Sequence, residues 1–288
     1  MTHTHTKTAV LVVIAVLLCV LIATAADAPI TFKFSPVKIP GAQASWAYGV
    51  NNSGVIVGQY FDANSVGHGF KLNQQGRWTK IDPPDSTWTI CYGINSTGAI
   101  VGEYTATSGS NHGFLYKNGK YTEIGGGAQS GAFGINDKGK IVGSYLTDAF
   151  VWDGQNYTQL KVPGAQITEG VRINNQGVIA LIALDPGQPA RSYLYQRGKY
   201  TEVKVPGATQ TYLYDINNLG DLILTWDDQR GIHGDLRQNG KFYKFDYTRN
   251  YTYAYGLNDY QLIVGDSFTS TAFKATFSTS VTTNPETQ

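Results

Sequence analysis

The sequence predicts an all-β protein, a six-bladed β-propeller whose blades each contain four strands. Three observations lead to this prediction: a motif that recurs with a regular period, tight-hairpin signals between short strands, and two chain ends that together complete one repeat. The composition agrees, because 42% hydrophobic residues with 33 glycines and 19 tyrosines suit short strands joined by tight turns.

The repeated motif G-[VIL]-N-x-x-G-x-[IL]-V-G occurs at residues 49–58, 93–102 and 134–143, with a close variant at 256–265. Degraded copies are also present, and six anchor asparagines can be placed: Asn51, Asn95, Asn136, Asn174, Asn217 and Asn258. Consecutive anchors are 44, 41, 38, 43 and 41 residues apart, a period typical of four-stranded propeller blades. Because turn-forming residues follow the anchors, we interpret the anchor asparagine as part of a turn.

Each repeat divides into four predicted strands. The first strand ends at the anchor, with small residues on one face and large residues on the other, and the second follows the turn, as at residues 55–60. The third strand starts at the His68-Gly69-Phe70 position. Tight hairpins then lead to a fourth strand that begins with an aromatic residue, and their signals are Asn118-Gly119, Arg197-Gly198 and Asn239-Gly240.

The two chain ends complete one blade. Residues 34–42 align without a gap on the fourth-strand segment 200–208, whereas residues 253–277 supply three strands and lack the fourth. We therefore expect a propeller over residues 29–277, closed by the N-terminal strand, and a disordered tail over 278–288. A linear solenoid is the alternative, but it has no use for a split repeat and needs polar caps.

The N-terminus predicts export. Polar residues 1–7 precede an apolar run over 9–23, and the small residues Ala23-Thr24-Ala25 follow. This pattern is typical of a signal peptide over residues 1–25, and it places the protein outside the cell or in the periplasm. An uncleaved membrane anchor is the alternative, although the run is short for one, since a span needs about 20 apolar residues.

Charge and cysteine content exclude several functions. Removal of Lys7 with the signal peptide leaves 21 basic and 21 acidic residues, so no nucleic-acid or membrane-binding charge is present. Cys91 is then the one remaining cysteine, and we interpret it as a small buried residue. No motif indicates a metal, a cofactor or a catalytic nucleophile. We expect a monomer.

The alternation of GIN-x-x-G-x-IVG-x-Y with H-[GA]-F-L and G-x-[YF]-T-x-I-x-x-PGA resembles the HAF-type extracellular repeat proteins of bacteria. The segments that carry it are residues 51–60, 68–70, 95–104, 112–114 and 136–145. The resemblance covers nearly all of residues 31–277. It implies an exported β-rich repeat protein and supplies no catalytic residue, because the family has no settled biochemical activity. The segments 171–174 and 214–217 depart from the pattern.

The departures place charges where other repeats have glycine. Arg172 and Asp215 replace the first glycine of the motif in blades four and five, and Leu181 and Leu224 replace the last. We hypothesise that Arg172 and Asp215 face each other near the channel and mark its functional side. The alternative is a structural ion pair.

Other candidate binding residues lie on loops. Asp227 and Asp228, with His233 nearby, could hold a cation or transfer protons. His233 also occupies the repeat position of His68 and His112, which favours a shared strand-opening role. Aromatic residues expected on the rim could stack on sugars or anchor a protein, and they are Trp46, Trp88, Tyr212, Tyr251 and Tyr253. Packing between blades is their alternative role.

These features together favour a non-catalytic binding or interaction module for an extracellular glycan or protein. Two alternatives stay open: a hydrolase or lyase acting on an extracellular polysaccharide, and a purely structural envelope component. An enzyme requires titratable groups that converge in an open pocket, so its candidate residues Arg172, Asp215, Asp227 and Asp228 should then lie together at the channel mouth.

Overall fold

The structure, a computed structural model, describes residues 29–248, 251–267 and 269–279. These residues form six four-stranded antiparallel sheets arranged in a ring, which confirms the predicted six-bladed β-propeller. The described part of the chain contains no helix long and apolar enough to cross a membrane. The predicted signal peptide, residues 1–25, lies outside the described residues.

The strands follow one another in blade order after the first. Strand β1 is Ile30–Pro36. Blade one has β2 (Ala44–Val50), β3 (Ile56–Phe61), β4 (Gly67–Leu72) and β5 (Trp78–Ile81). Blade two has β6 (Ser86–Ile94), β7 (Ile100–Ala106), β8 (Asn111–Lys117) and β9 (Lys120–Ile124), and blade three has β10 (Ser130–Ile135), β11 (Ile141–Tyr145), β12 (Asp148–Trp152) and β13 (Tyr157–Leu160).

The second half of the ring has the same plan. Blade four has β14 (Ile167–Ile173), β15 (Ile179–Leu184), β16 (Arg191–Gln196) and β17 (Lys199–Val203). Blade five has β18 (Gln210–Ile216), β19 (Leu222–Asp228), β20 (Gly231–Gln238) and β21 (Lys241–Phe245). Blade six has β22 (Thr252–Leu257), β23 (Leu262–Ser267) and β24 (Ala272–Thr279), and β1 is its fourth strand.

The seam of the ring is the pairing of β1 with β24. The two strands are antiparallel, with Ile30 opposite Thr279 and Pro36 opposite Phe273. This register confirms the predicted closure by the N-terminal strand. Strand β24 extends two residues past the predicted boundary at residue 277, and the rest of the predicted tail, residues 280–288, lies outside the described residues.

The glycines of the motif are required by close approaches. A Cβ atom added at Gly49, near the axis, would lie 2.6 Å from the carbonyl oxygen of Tyr92 in the next blade. A Cβ atom added at Gly58 would lie 2.8 Å from the ring of Phe70, which is fully buried on the third strand. In blades four and five, leucine replaces this glycine, at Leu181 and Leu224. The third strands of these blades have no phenylalanine at the paired position.

The predicted hairpins are also present. Both residues of Asn118-Gly119, Arg197-Gly198 and Asn239-Gly240 have positive φ, from 50° to 84°. Such turns match the right-handed twist of the strands they join, which is why Asn-Gly is so strong a signal. Cys91 is fully buried and unpaired, as the sequence analysis expects.

Candidate functional site

The six anchor asparagines form a closed ring of hydrogen bonds around the axis. In blade one, the Asn51 side-chain oxygen accepts from the backbone N–H groups of Ser53 and Val55, at 3.1 and 3.0 Å. Its side-chain nitrogen donates to the Asn95 carbonyl at 3.0 Å, and the next five anchors repeat this step until Asn258 donates to the Asn51 carbonyl. Each anchor asparagine therefore has two roles: it stabilises its own turn, as predicted from the sequence, and it bonds its blade to the next one.

Arg172 and Asp215 lie on the axis as a buried ion pair. The Arg172 Nε atom is 3.5 Å from the Asp215 Oδ1 atom, and the two residues are only 9% and 6% exposed. The guanidinium also donates to four backbone carbonyl oxygens, those of Tyr48, Tyr92, Phe133 and Val171. The first three belong to blades one, two and three, so one side chain links half of the ring to blade four.

Asp215 extends these contacts to the remaining blades. Its carboxylate accepts from the backbone N–H of Ile216 at 2.8 Å and from that of Leu257, in blade six, at 2.7 Å. Burial raises the pKa of Asp215, and the Arg172 charge and the two N–H groups oppose this effect. The pair therefore touches the backbone of all six blades, which is the arrangement of a structural ion pair. A direct role in ligand binding stays a prediction.

Two cavities lie on the axis, and Arg172 lines both of them. The smaller, of about 80 Å³, is bordered by five of the six anchor asparagines. The larger, of about 390 Å³, lies toward the start of the first strands. We call the larger one the axial cavity. Its volume lies within the range of small-ligand pockets, which begins at about 300 Å³.

Five of the six blades place an aromatic residue in the wall of the axial cavity, just before the axial glycine or its replacement. We call this set the aromatic collar: Tyr48, Tyr92, Phe133, Tyr214 and Tyr255. Neighbouring rings are in contact, with centroid distances from 4.9 to 5.3 Å. Blade four breaks the collar with Val171. Burial raises the pKa of all four collar tyrosines, so their hydroxyl groups are neutral hydrogen-bonding groups.

Two half-buried carboxylates also line the axial cavity, Glu103 on β7 and Glu169 on β14. Burial raises the pKa of Glu103 to about 7, and the nearby charge of Glu169 adds to the effect. Burial also raises the pKa of Glu169. Among the described residues, neither carboxylate forms an ion pair. Carboxylates whose pKa is raised, in an open cavity, are typical of functional sites.

Neither the collar nor the two glutamates were predicted from the sequence. A signal for the collar was present, because the residue before the axial glycine is aromatic in five repeats. The glutamates had no such signal, since they occupy different positions of their repeats and are 66 residues apart in the chain.

Asp227 and Asp228 do not join Arg172 and Asp215. Asp227 binds Gln210, whose side-chain nitrogen donates to Oδ2 at 2.6 Å. Asp228 accepts from the backbone N–H groups of Arg230 and Gly231, at 2.6 and 3.1 Å. The convergence of four charged groups that an enzyme built on these residues requires is therefore not present.

The repeated histidines open the third strands, as their shared position indicates. The His233 ring lies between two carboxylates, with Nδ1 at 2.9 Å from Asp246 and Nε2 at 3.4 Å from Asp228. His68 has the same arrangement in blade one, with its Nδ1 atom 2.7 Å from an Asp82 oxygen. This recurrence favours the structural role over catalysis by His233.

The predicted rim aromatics have different environments. Tyr212 and Tyr253 stack on the collar residues Tyr214 and Tyr255, with interplanar angles of 12° and 10°. Tyr251 is 39% exposed at the rim. The two tryptophans are half-buried, and Trp46 packs edge-on against Phe61 while Trp88 lies against Gly67 of blade one. Both tryptophans therefore pack against neighbouring residues of the propeller. Tyr212 and Tyr253 add a second layer of rings beside the collar.

Comparison with known proteins identifies the fold and nothing finer. No protein-family model matches the chain, and no curated protein matches its sequence. The putative TolB from Agrobacterium tumefaciens superposes with a TM-score of 0.59 at 12% identity, over 88% of this chain and 99% of that one. A catalytically inactive virginiamycin B lyase from Staphylococcus aureus, solved with quinupristin, gives 0.56 at 14% identity, over 85% and 99%.

A third similar structure is a putative gluconolactonase, with a TM-score of 0.53 at 11% identity, over 87% of this chain and 94% of that one. At such low identities the similarity shows a shared propeller fold, which carries many unrelated functions. The residues that line the axial cavity are therefore the guide to the function of this chain.

Proposed function

We propose that this protein is an exported β-propeller that acts as a non-catalytic binding module, with its ligand held in the axial cavity. The single observation that carries the proposal is the aromatic collar around a cavity of about 390 Å³. Buried tyrosines that only fill space need no cavity between them. Here the rings surround open volume, where a ligand can contact several of them.

The chemistry of the wall suits an extracellular glycan or a protein segment. Aromatic faces stack on the apolar faces of sugars and on protein side chains, while carboxylates accept hydrogen bonds from hydroxyl or amino groups. Glu103 and Glu169 supply such acceptors beside the collar. Arg172, held by its ion pair with Asp215, is then the floor of the binding site.

The proposal of export rests on the N-terminal pattern of residues 1–25 and on the resemblance to HAF-type extracellular repeat proteins. A secreted or periplasmic location gives a binding module access to extracellular ligands. We propose a monomeric protein, because one chain builds the whole ring and closes its own seam.

A second candidate function is a hydrolase or lyase acting on an extracellular polysaccharide. The observation in its favour is the pair Glu103 and Glu169, because two carboxyl groups whose pKa values are raised in one cavity can serve acid–base chemistry. The charged residues chosen from the sequence do not support it, since they do not converge.

A glycan-array screen of the exported protein, followed by titration of each hit, tests the proposal. We expect Tyr92→Leu and Tyr214→Leu each to weaken binding at least about tenfold, since loss of a central aromatic contact costs about 2 kcal/mol or more. Tyr260→Leu is the matched control, because Tyr260 is 73% exposed and does not line the axial cavity.

Binding that survives both collar substitutions would place the ligand elsewhere and refute the proposal. Binding to neither glycan nor protein would favour the purely structural role. Release of shorter saccharides by the wild-type protein, lost in Glu103→Gln or Glu169→Gln, would instead establish the enzyme.

A further inference from the structure

We propose that the axial cavity recognises an organic cation, a protonated or quaternary ammonium group held against the aromatic collar and balanced by Glu103 and Glu169. The inference rests on the proposed binding function and deepens it by naming the class of ligand. Three features support it: the geometry of the collar, the position of the two carboxylates and the charge of the cavity floor.

The collar has the geometry of an aromatic cage. Tyr48 touches Tyr92 at 5.3 Å and Tyr255 at 4.9 Å between ring centroids, with interplanar angles of 57° and 50°. The collar continues from Tyr92 to Phe133 at 5.0 Å and 84°. Neighbouring rings are thus strongly inclined to each other around one axis. A cation near ring faces is attracted by the negative charge of their π-systems, and cages of this kind recognise quaternary ammonium groups.

Glu169 lies where the collar is interrupted, and Glu103 reaches toward the blade next to it. Val171 takes the place of an aromatic residue in blade four, and Glu169 precedes it by two residues on the same strand. Glu103 approaches from the neighbouring side, because a Cβ atom added at Gly131 in blade three would lie 2.9 Å from its Oε2 atom. Both carboxylates line the cavity. A ligand in the cage would therefore have rings from five blades around it and negative charge on the side of blades three and four.

The floor of the cavity does not neutralise these carboxylates. The charge of Arg172 is matched by Asp215, and its N–H groups donate to four backbone carbonyls. The ionised glutamates therefore leave the cavity with a net charge of two negatives. Their mutual repulsion contributes to the raised pKa of Glu103, and a bound cation would relieve it.

A metal ion fits this wall poorly. Hard cations such as Ca²⁺ bind six to eight oxygen atoms, and most of the wall here is aromatic. Over the described residues, no group of three histidine, cysteine or acidic side chains could hold a metal ion. A neutral sugar could stack on the rings, but it would leave the charge of the glutamates unbalanced.

The test compares choline with its neutral carbon isostere, 3,3-dimethylbutan-1-ol, by isothermal titration calorimetry of the exported protein above pH 8. We expect choline to bind at least about tenfold more tightly than the isostere, because the two differ in charge and hardly in shape. A third probe, n-butylammonium, separates the sources of such a cation. Tighter binding of n-butylammonium indicates a lysine side chain of a partner protein, and tighter binding of choline indicates a quaternary headgroup.

Glu103→Gln and Glu169→Gln should each reduce choline affinity about five- to tenfold and leave the affinity of the isostere unchanged, since each removes one negative charge. Glu202→Gln, on the outer strand β17, is the matched control. Thermal unfolding confirms that each variant is folded.

Equal affinity of choline and isostere in the wild-type protein would overturn the inference without any variant. If Tyr92→Leu then weakened both probes, the axial cavity would still be the binding site, and the proposed function would survive. Absence of binding by all three cationic or neutral probes would also overturn the inference, and the glycan screen would decide the proposed function independently.

Discussion

Replacement of Arg172 by alanine will destabilise the propeller more than simultaneous replacement of Arg172 and Asp215 by glycine. The single change leaves a carboxylate that is 6% exposed without its charge partner. The double change removes both charges and restores the residue found at this position in the other four blades. The comparison therefore separates the cost of an unpaired buried charge from the value of the pair itself.

The expected magnitudes follow from these contacts. Removal of one partner from a buried ion pair costs about 3–5 kcal/mol, and four backbone carbonyls, those of Tyr48, Tyr92, Phe133 and Val171, lose this donor as well. Water entering from the axial cavity replaces part of the lost hydrogen bonding, so we expect about 4 kcal/mol for Arg172→Ala. For the double glycine variant we expect about 2 kcal/mol, since no uncompensated charge is left.

Urea unfolding followed by tryptophan fluorescence measures both free energies, and calorimetry on the folded variants measures ligand binding. Loss of stability with ligand binding intact would identify the pair as structural. An Arg172→Ala variant within about 0.5 kcal/mol of the wild type would refute the reasoning, as would a double variant less stable than the single one.

Three further predictions concern the cavity, the anchor ring and the seam. Burial raises the pKa of Glu103 from 4.5 to about 7, so its carboxyl group lowers the free energy of unfolding by nothing below pH 4.5 and by an increasing amount as pH rises to 7. Glu103→Gln should therefore stabilise the protein by about 1–2 kcal/mol at pH 8.5 and leave its stability unchanged at pH 4. Equal urea midpoints at pH 8.5 would contradict this. Asn258→Ala removes three hydrogen bonds, with Tyr260, Leu262 and Asn51, and should lower the free energy of unfolding by about 3 kcal/mol; a loss below about 1 kcal/mol in urea would count against the anchor ring. Phe34→Ala removes ring contacts with Phe245, Tyr247 and Phe273, and it should make β1 the first segment cut in limited proteolysis. An unchanged digestion pattern would show that the seam does not depend on the Phe34 ring.

The fold could be predicted because the repeated motif shows the length of each blade and the order of its strands. The six anchors set the number of blades, and the position of the fourth-strand segment 34–42 ahead of the first anchor indicated the closure. The structure confirms the number in its six sheets and the closure in the pairing of Ile30–Pro36 with Ala272–Thr279. Turn signals such as Asn118-Gly119 are local, so their conformation depends little on the rest of the chain.

The candidate site could be predicted only in part. Arg172 and Asp215 stood out because they break a repeat, and the structure brings them together. Glu103 and Glu169 occupy positions where the repeats differ from one another, so neither residue stands out in the sequence. Their convergence depends on how blades two and four are oriented toward the axis. Such a long-range arrangement is set by the radius of the ring and by the bulge in each first strand.

The pairing of the first strand with the last has a consequence for biogenesis. Synthesis proceeds from the N-terminus, so β1 emerges before the other strands of the propeller and its partner β24 emerges last of them. Until then β1 has an unpaired edge and half-buried phenylalanines at positions 32 and 34, which are hazards in a crowded compartment. The ring can be completed only after β24 has been synthesised, so the time for which β1 needs protection grows with the length of chain between the two strands.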